Sequence, residues 1–174
     1  LIEILVAIVV LSIGLLGAVG MQLAALQANK EARHQAVGVR YAQELAEKMR
    51  ANRQALADAA YAIDWKSTEG PADFTTDCAR RLCGTASEVA HWDLYDLTSR
   101  LLQDEGLPKA RLVVCRDAHP YDASGIPQWP CSGNGTLFIK LGWTHARFDA
   151  GAGEIRDGLV VASVAPALVL PVED

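Results

Sequence analysis

The residues with most chemistry in them are four cysteines, Cys78, Cys83, Cys115 and Cys131. Three uses are open to them: disulfides, free thiols or a zinc set. Structural zinc favours tight spacing such as two residues between ligands, which neither Cys78/Cys83 nor Cys115/Cys131 has. A nucleophilic cysteine needs a base and an activating environment, and only His119 lies near Cys115 in the chain. Disulfides fit an even cysteine number in an oxidising compartment, with three connectivities possible and the sequential one simplest. Asp117, His119 and Asp122 share one segment and suggest a metal site, but loops gather Asp and His for turn chemistry and no full ligand set is visible. His34 and His91 fall on helical patterns, His145 ends a strand pattern, and none is assigned a role. The four tryptophans read as core or interface residues. No phosphate-cradling glycine loop, nucleophile elbow or metalloprotease motif occurs, so no enzyme activity and no cofactor or metal is expected.

Glu3 is the other chemically notable residue. It precedes residues 4–29, which carry no charge at all. A carboxylate at the bilayer centre costs about 2.5–3.5 kcal/mol. Near a helix N-terminus the same group can sit at the interface and be stabilised by the helix dipole.

The elements around these residues follow from periodicity. Residues 4–26 span roughly 35 Å as a helix, enough to cross a hydrocarbon core of about 30 Å. A cleavable signal peptide fits poorly, because its apolar region is usually about 7–15 residues long after a basic start. Gly14, Gly17 and Gly20 interrupt the run at about 1 kcal/mol each relative to Ala. They either permit close helix contact or mark a stretch that can unwind. Beyond residue 30, Val37, Tyr41, Leu45 and Met49 recur every four residues, Leu56, Ala60 and Ile63 continue the stripe, and Glu44–Lys48 stand at a favourable ion-pair spacing. The pattern predicts one helix from residue 2 to about 60, roughly 90 Å long, apolar in its first half and amphipathic in its second. The organisation expected is 1–29 as the apolar half, 30–63 as the amphipathic half, and 64–174 as a globular head.

Within the head, residues 64–84 read as a loop. Thr85 and Glu88 have capping-box spacing and open a helix of about 20 residues, with Val89, Trp92, Leu94, Leu97, Leu101 and Leu102 on its apolar side and Gly106 and Pro108 as its stop. The period then changes to two. Residues 110–116 read as a strand, 136–144 as the strongest strand with Leu137, Ile139, Leu141 and Trp143 on one face, and 158–164 as a third. Gly151 and Gly153 suit a turn between the last two. A long loop, 117–135, joins the first two. Such a sheet needs a cover, which the amphipathic half of the long helix can supply. The fold class expected is therefore α+β: a long N-terminal helix packed on a small antiparallel sheet with one short extra helix.

Composition narrows the function. Of 174 residues, 51% are apolar and 21% charged, which permits a packed core. The formal net charge of -5 argues against broad phosphate neutralisation, so no specific nucleic acid is expected as partner. Lys30 and Arg33 follow the apolar run, which by the positive-inside rule points to a cytoplasmic head. The cysteines point instead to an oxidising compartment, and the periplasm is the reading adopted.

The opening Leu1-Ile2-Glu3-Ile4-Leu5-Val6 resembles the N-terminus of the type IV pilin superfamily. Leu11-Ser12-Ile13-Gly14-Leu15-Leu16-Gly17, Gln22, Gln27 and residues 41–53 resemble the PilV family of minor pilins within it. So do a cysteine pair ahead of a short helix bearing Trp92-Asp93-Leu94, and Leu107-Pro108 ahead of a strand. The resemblance implies a leader removed by prepilin peptidase, two mature residues before Leu1, and N-methylation of the new terminus. It implies that Glu3 pairs with the free amine of a neighbouring subunit in the filament core. It places the chain in the bacterial inner membrane as a single-pass protein with a periplasmic head, and afterwards in the extracellular pilus. The implied partners are membrane lipid, the inner-membrane assembly machinery, other minor pilins, the major pilin and a tip adhesin. The implied role is initiation of type IV pilus assembly in a tip or priming complex, contributing to adhesion and twitching motility. The alternatives are a minor pseudopilin of type II secretion, or a single-span membrane protein whose head binds a ligand such as DNA during uptake.

Overall fold

Tyr41, Leu45 and Met49 fall on one side of a helix, and all three are buried in the core. The structure, a computed structural model, describes residues 2–103, 107–144 and 165–172. The first helix, α1, runs Ile2–Ala51. The chain divides into two compact units, Leu1–Gln35 and Ala36–Asp174. In the first unit, residues 2–30 are exposed on every side of the helix. Nothing lies within 4 Å of where a Cβ would stand on Gly14, Gly17 or Gly20. Length and composition make α1 sufficient to cross a membrane.

The second unit holds the rest of α1 and the head. The helix ends at Ala51, earlier than the stripe through Leu56 and Ala60 suggests. Asn52 is responsible: its backbone leaves the helical region, at φ -115 and ψ 64. Its side chain accepts from the Ala55 amide at 3.4 Å and donates to the Ala86 carbonyl at 2.8 Å. A five-residue helix, α2 (Arg53–Ala57), follows and still buries Leu56. Then comes a short strand, β1 (Ile63–Lys66), in a stretch whose sequence reads mostly as loop.

Helix α3 (Ala86–Gln103) begins where the capping box predicts. The Thr85 hydroxyl accepts from the Glu88 amide at 3.2 Å, and the Glu88 carboxylate accepts from the Thr85 amide at 3.0 Å. Strands β2 (Arg111–Asp117) and β3 (Thr136–Gly142) match the period-two segments to within two residues. The last strand, β4 (Leu168–Val172), lies at a position not expected from sequence. The strand expected at 158–164, the glycine turn at 151 and 153, His145 and the helix stop at Gly106 lie outside the described residues.

The four strands pair in chain order, β1-β2-β3-β4, all antiparallel. Register places Trp65, Leu112, Leu141 and Leu168 in one row, and Ile63, Val114, Ile139 and Leu170 in the next. Both rows belong to the core formed with Tyr41, Leu45 and Met49 of α1 and Leu94, Leu97 and Leu101 of α3. Gly38 is where α1 meets Trp143: a Cβ there would stand 2.6 Å from the indole, so only glycine lets the helix come this close. The opposite face of the sheet is covered too. Trp129, from the segment joining β2 to β3, lies against Gly142, where a Cβ would be 2.9 Å from its ring. The long N-terminal helix, antiparallel sheet and extra helix are the α+β arrangement expected from the sequence.

Candidate functional site

Glu3 lies in the first turn of α1, where the aligned peptide dipoles favour an acidic side chain. After it come residues 4–29, uncharged and exposed all round. This arrangement can enter an apolar phase, lipid or other helices, with one carboxylate beside the apolar run. Ser12, the polar group deepest in the run, bonds its own helix: its hydroxyl donates to the Ile8 carbonyl at 2.7 Å.

The cysteines pair sequentially. Cys78–Cys83 closes a loop ahead of α3 with Cα atoms 5.3 Å apart, and Cys115–Cys131 joins β2 to the covering segment at 6.3 Å. The first loop is organised by Glu88, whose carboxylate takes the Thr76 hydroxyl at 2.5 Å and the Gly84 amide at 2.8 Å. Those donors, the Thr76 hydroxyl foremost, hold the Glu88 carboxyl below its ordinary value.

Asp117, His119 and Asp122 do not converge on a common point. Among the described residues no group of three or more His, Cys, Asp or Glu is placed to hold a metal ion. Asp117 is buried and bonds Lys140 Nζ at 2.6 Å. Its other oxygen accepts from the His119 and Ser132 amides at 3.0 and 3.3 Å. Burial alone would raise its pKa, but Lys140 and these amides together hold the carboxyl below the usual carboxylate value. Asp122 accepts from the Ser124 and Ile126 amides, both at 2.8 Å, and shapes the tip of the same segment.

Charged residues also join α1 to α3 in the head. Glu44, expected to face Lys48, does so at 3.6 Å, and the Arg100 guanidinium grips it through both carboxylate oxygens. The Arg100 hydrogen bond holds the Glu44 carboxyl below its ordinary value. Lys48 also reaches Asp93 at 3.4 Å and Asp96 at 3.2 Å. The Tyr61 hydroxyl donates to Asp93 at 2.8 Å, and burial, reinforced by that carboxylate, pushes the phenol well above its usual pKa. Sequence reasoning finds only the Glu44–Lys48 edge of this network, because the rest is made between helices. Trp65, Trp129 and Trp143 are buried, whereas Trp92 packs with Phe74 and Tyr95 at ring distances of 5.2 Å on the half-exposed side of α3.

Residues 20–95 match a family model described as Tt1218-like, type IV pilin Tt1218. The match spans the last ten residues of the apolar run, the amphipathic stretch, the Cys78–Cys83 loop and the start of α3, under half of the chain. No curated protein and no solved structure matches the chain. The family match supports the type IV pilin superfamily and, with it, a structural pilin role and a membrane-anchored, pilus-associated place.

Proposed function

We propose that the chain is a minor pilin of the PilV kind that helps to start type IV pilus assembly within a tip or priming complex. The observation that carries this reading is the unpartnered apolar surface of residues 2–29, headed by Glu3 and continued by one helix into a disulfide-bonded head. Exposed apolar surface of that extent is costly in water. The subunit therefore waits in the inner membrane with its head in the periplasm, and exchanges lipid for neighbouring helices when the machinery extracts it. In the filament interior Glu3 pairs with the terminal amine of an adjacent pilin, because an unpaired carboxylate in a dry core is strongly disfavoured. Other minor pilins, the major pilin and a tip adhesin are the partners of that state. Adhesion and twitching motility are then outputs of the assembled pilus.

Deleting the gene and complementing with wild type or Glu3→Ala tests the reading. The deletion removes surface pili, wild type restores them, and Glu3→Ala restores them weakly or not at all. Normal pili with a protein-secretion defect would instead assign the chain to a type II secretion pseudopilus. Normal pili and normal secretion would leave a ligand-binding membrane protein.

A further inference from the structure

The segment 118–135 spans the face of the sheet opposite α1 and α3, and its base is built around two residues. Lys140 projects from the middle of β3 and is fully buried. Its ammonium donates to Asp117 Oδ2 at 2.6 Å and to the Pro130 carbonyl at 2.9 Å. Asp117 Oδ1 accepts from the Ser132 amide at 3.3 Å. Cys131 thus has its neighbours on both sides, Pro130 and Ser132, held by the one ion pair. Cys115 lies two residues before Asp117 on β2, on the same face of the strand. Two further bonds close the base: Ala118 amide to Ser132 hydroxyl at 2.8 Å, and Gly133 amide to Arg116 carbonyl at 3.0 Å.

Chain statistics already favour the sequential pairing, because Cys78 and Cys83 both lie farther from Cys115 and Cys131 than those two lie from each other, but they leave Cys115–Cys131 the slower of the two closures. Cys78 and Cys83 are separated by 5 residues, Cys115 and Cys131 by 16. With closure probability falling as the 3/2 power of length, the short pair meets roughly sixfold more readily.

We propose that the buried Lys140–Asp117 pair speeds closure of the Cys115–Cys131 disulfide, by seating both ends of the segment beside each other before the thiols are oxidised. A charged group left alone at this buried place is strongly disfavoured, so the sheet and segment come together with Lys140 on Asp117 and Pro130. That seating brings the two cysteines within disulfide reach. Oxidation then proceeds by exchange with a disulfide oxidant of the compartment. One cysteine thiolate attacks the oxidant and releases half of it as a thiol. The second cysteine thiolate displaces the other half, so two electrons leave the chain and the oxidant becomes a dithiol. The inference is independent of the pilus reading.

The test uses the full chain in detergent micelles, reduced, unfolded, and returned to buffer with oxidised and reduced glutathione. Samples quenched by alkylation are peptide-mapped for every disulfide. Lys140→Met leaves a buried carboxylate unpaired, so Asp117→Leu/Lys140→Met is run beside it to keep the site filled without charge. In both variants Cys115–Cys131 forms about tenfold more slowly, the scale of losing a charge-assisted hydrogen bond. Species carrying Cys78–Cys83 alone accumulate, and Cys78–Cys83 forms at the wild-type rate. Wild-type formation of Cys115–Cys131 in the double variant would overturn the proposal. So would equal slowing of both disulfides in the double variant, since the pair would then be acting on the head as a whole.

Discussion

Lys140 Nζ lies 2.6 Å from Asp117 Oδ2, with side chains that are 0% and 2% exposed, in a protein whose other ion pairs among the described residues lie at or near the surface. Removing a buried charge from water costs several kcal/mol per ion, and close geometry with further hydrogen bonds is what offsets it. The His119 and Ser132 amides and the Pro130 carbonyl supply those bonds.

The first prediction concerns that pair and pH. Folding lowers the Asp117 pKa, so its contribution is complete above the unfolded carboxylate value of about 4 and fades as pH falls toward the lower folded value. Asp117→Asn should lose about 3–5 kcal/mol at pH 7, because it strands the Lys140 ammonium. The gap between wild type and Asp117→Asn should narrow as pH drops from 5 to 3. Denaturant titrations of the full chain in detergent across that range measure it; a gap independent of pH contradicts the assignment.

Gly38→Ala sets two effects against each other. Helix propensity favours Ala by about 1 kcal/mol. The new methyl, however, would meet the buried Trp143 indole at 2.6 Å. Overpacking of this kind costs about 1–3 kcal/mol, so the variant should be destabilised and its near-ultraviolet tryptophan circular dichroism altered. A gain in melting temperature would mean that the contact is easily relieved.

Thr85→Ala removes the hydroxyl that receives the Glu88 amide at the start of α3. A loss of about 1 kcal/mol is expected, whereas Thr85→Ser should lose a few tenths at most. Equilibrium denaturation of the three proteins decides this. Equal stability of all three would show that the cap contributes nothing.

Much of the fold is legible in the sequence because it rests on local rules. The apolar run, the four-residue stripe, the Thr85–Glu88 cap and the alternation of Leu137, Ile139 and Leu141 each announce an element without reference to distant residues. Asn52 shows the limit: the stripe continues through Leu56, but a side chain that bonds both Ala55 and Ala86 breaks the helix. Strand β4 is obscured by Pro171, which fits only because this strand is paired on one side among the described residues. Strand β1 has only four residues in which to show a period.

The candidate sites divide in the same way. Glu3 stands out because everything around it is apolar. Asp117 reads as a turn residue, and Lys140 stands on the strand face opposite Ile139 and Leu141, whose cover is not announced locally in the sequence. Both are buried because Trp129 and Pro130 fold over that face, a relation between residues far apart in the chain. Gly142 beside Lys140 is the local trace of that packing, since it leaves room for the Trp129 ring.

The most direct test of the pilin account is to find the protein. An antibody or small epitope on the head, with immunogold labelling of sheared filaments and quantitative mass spectrometry of the same fraction, locates and counts it. The account predicts label at filament tips and a copy number far below that of the major subunit. Absence of the chain from sheared filaments of a normally piliated strain would contradict it, and uniform label along the shaft would contradict the minor, initiating role.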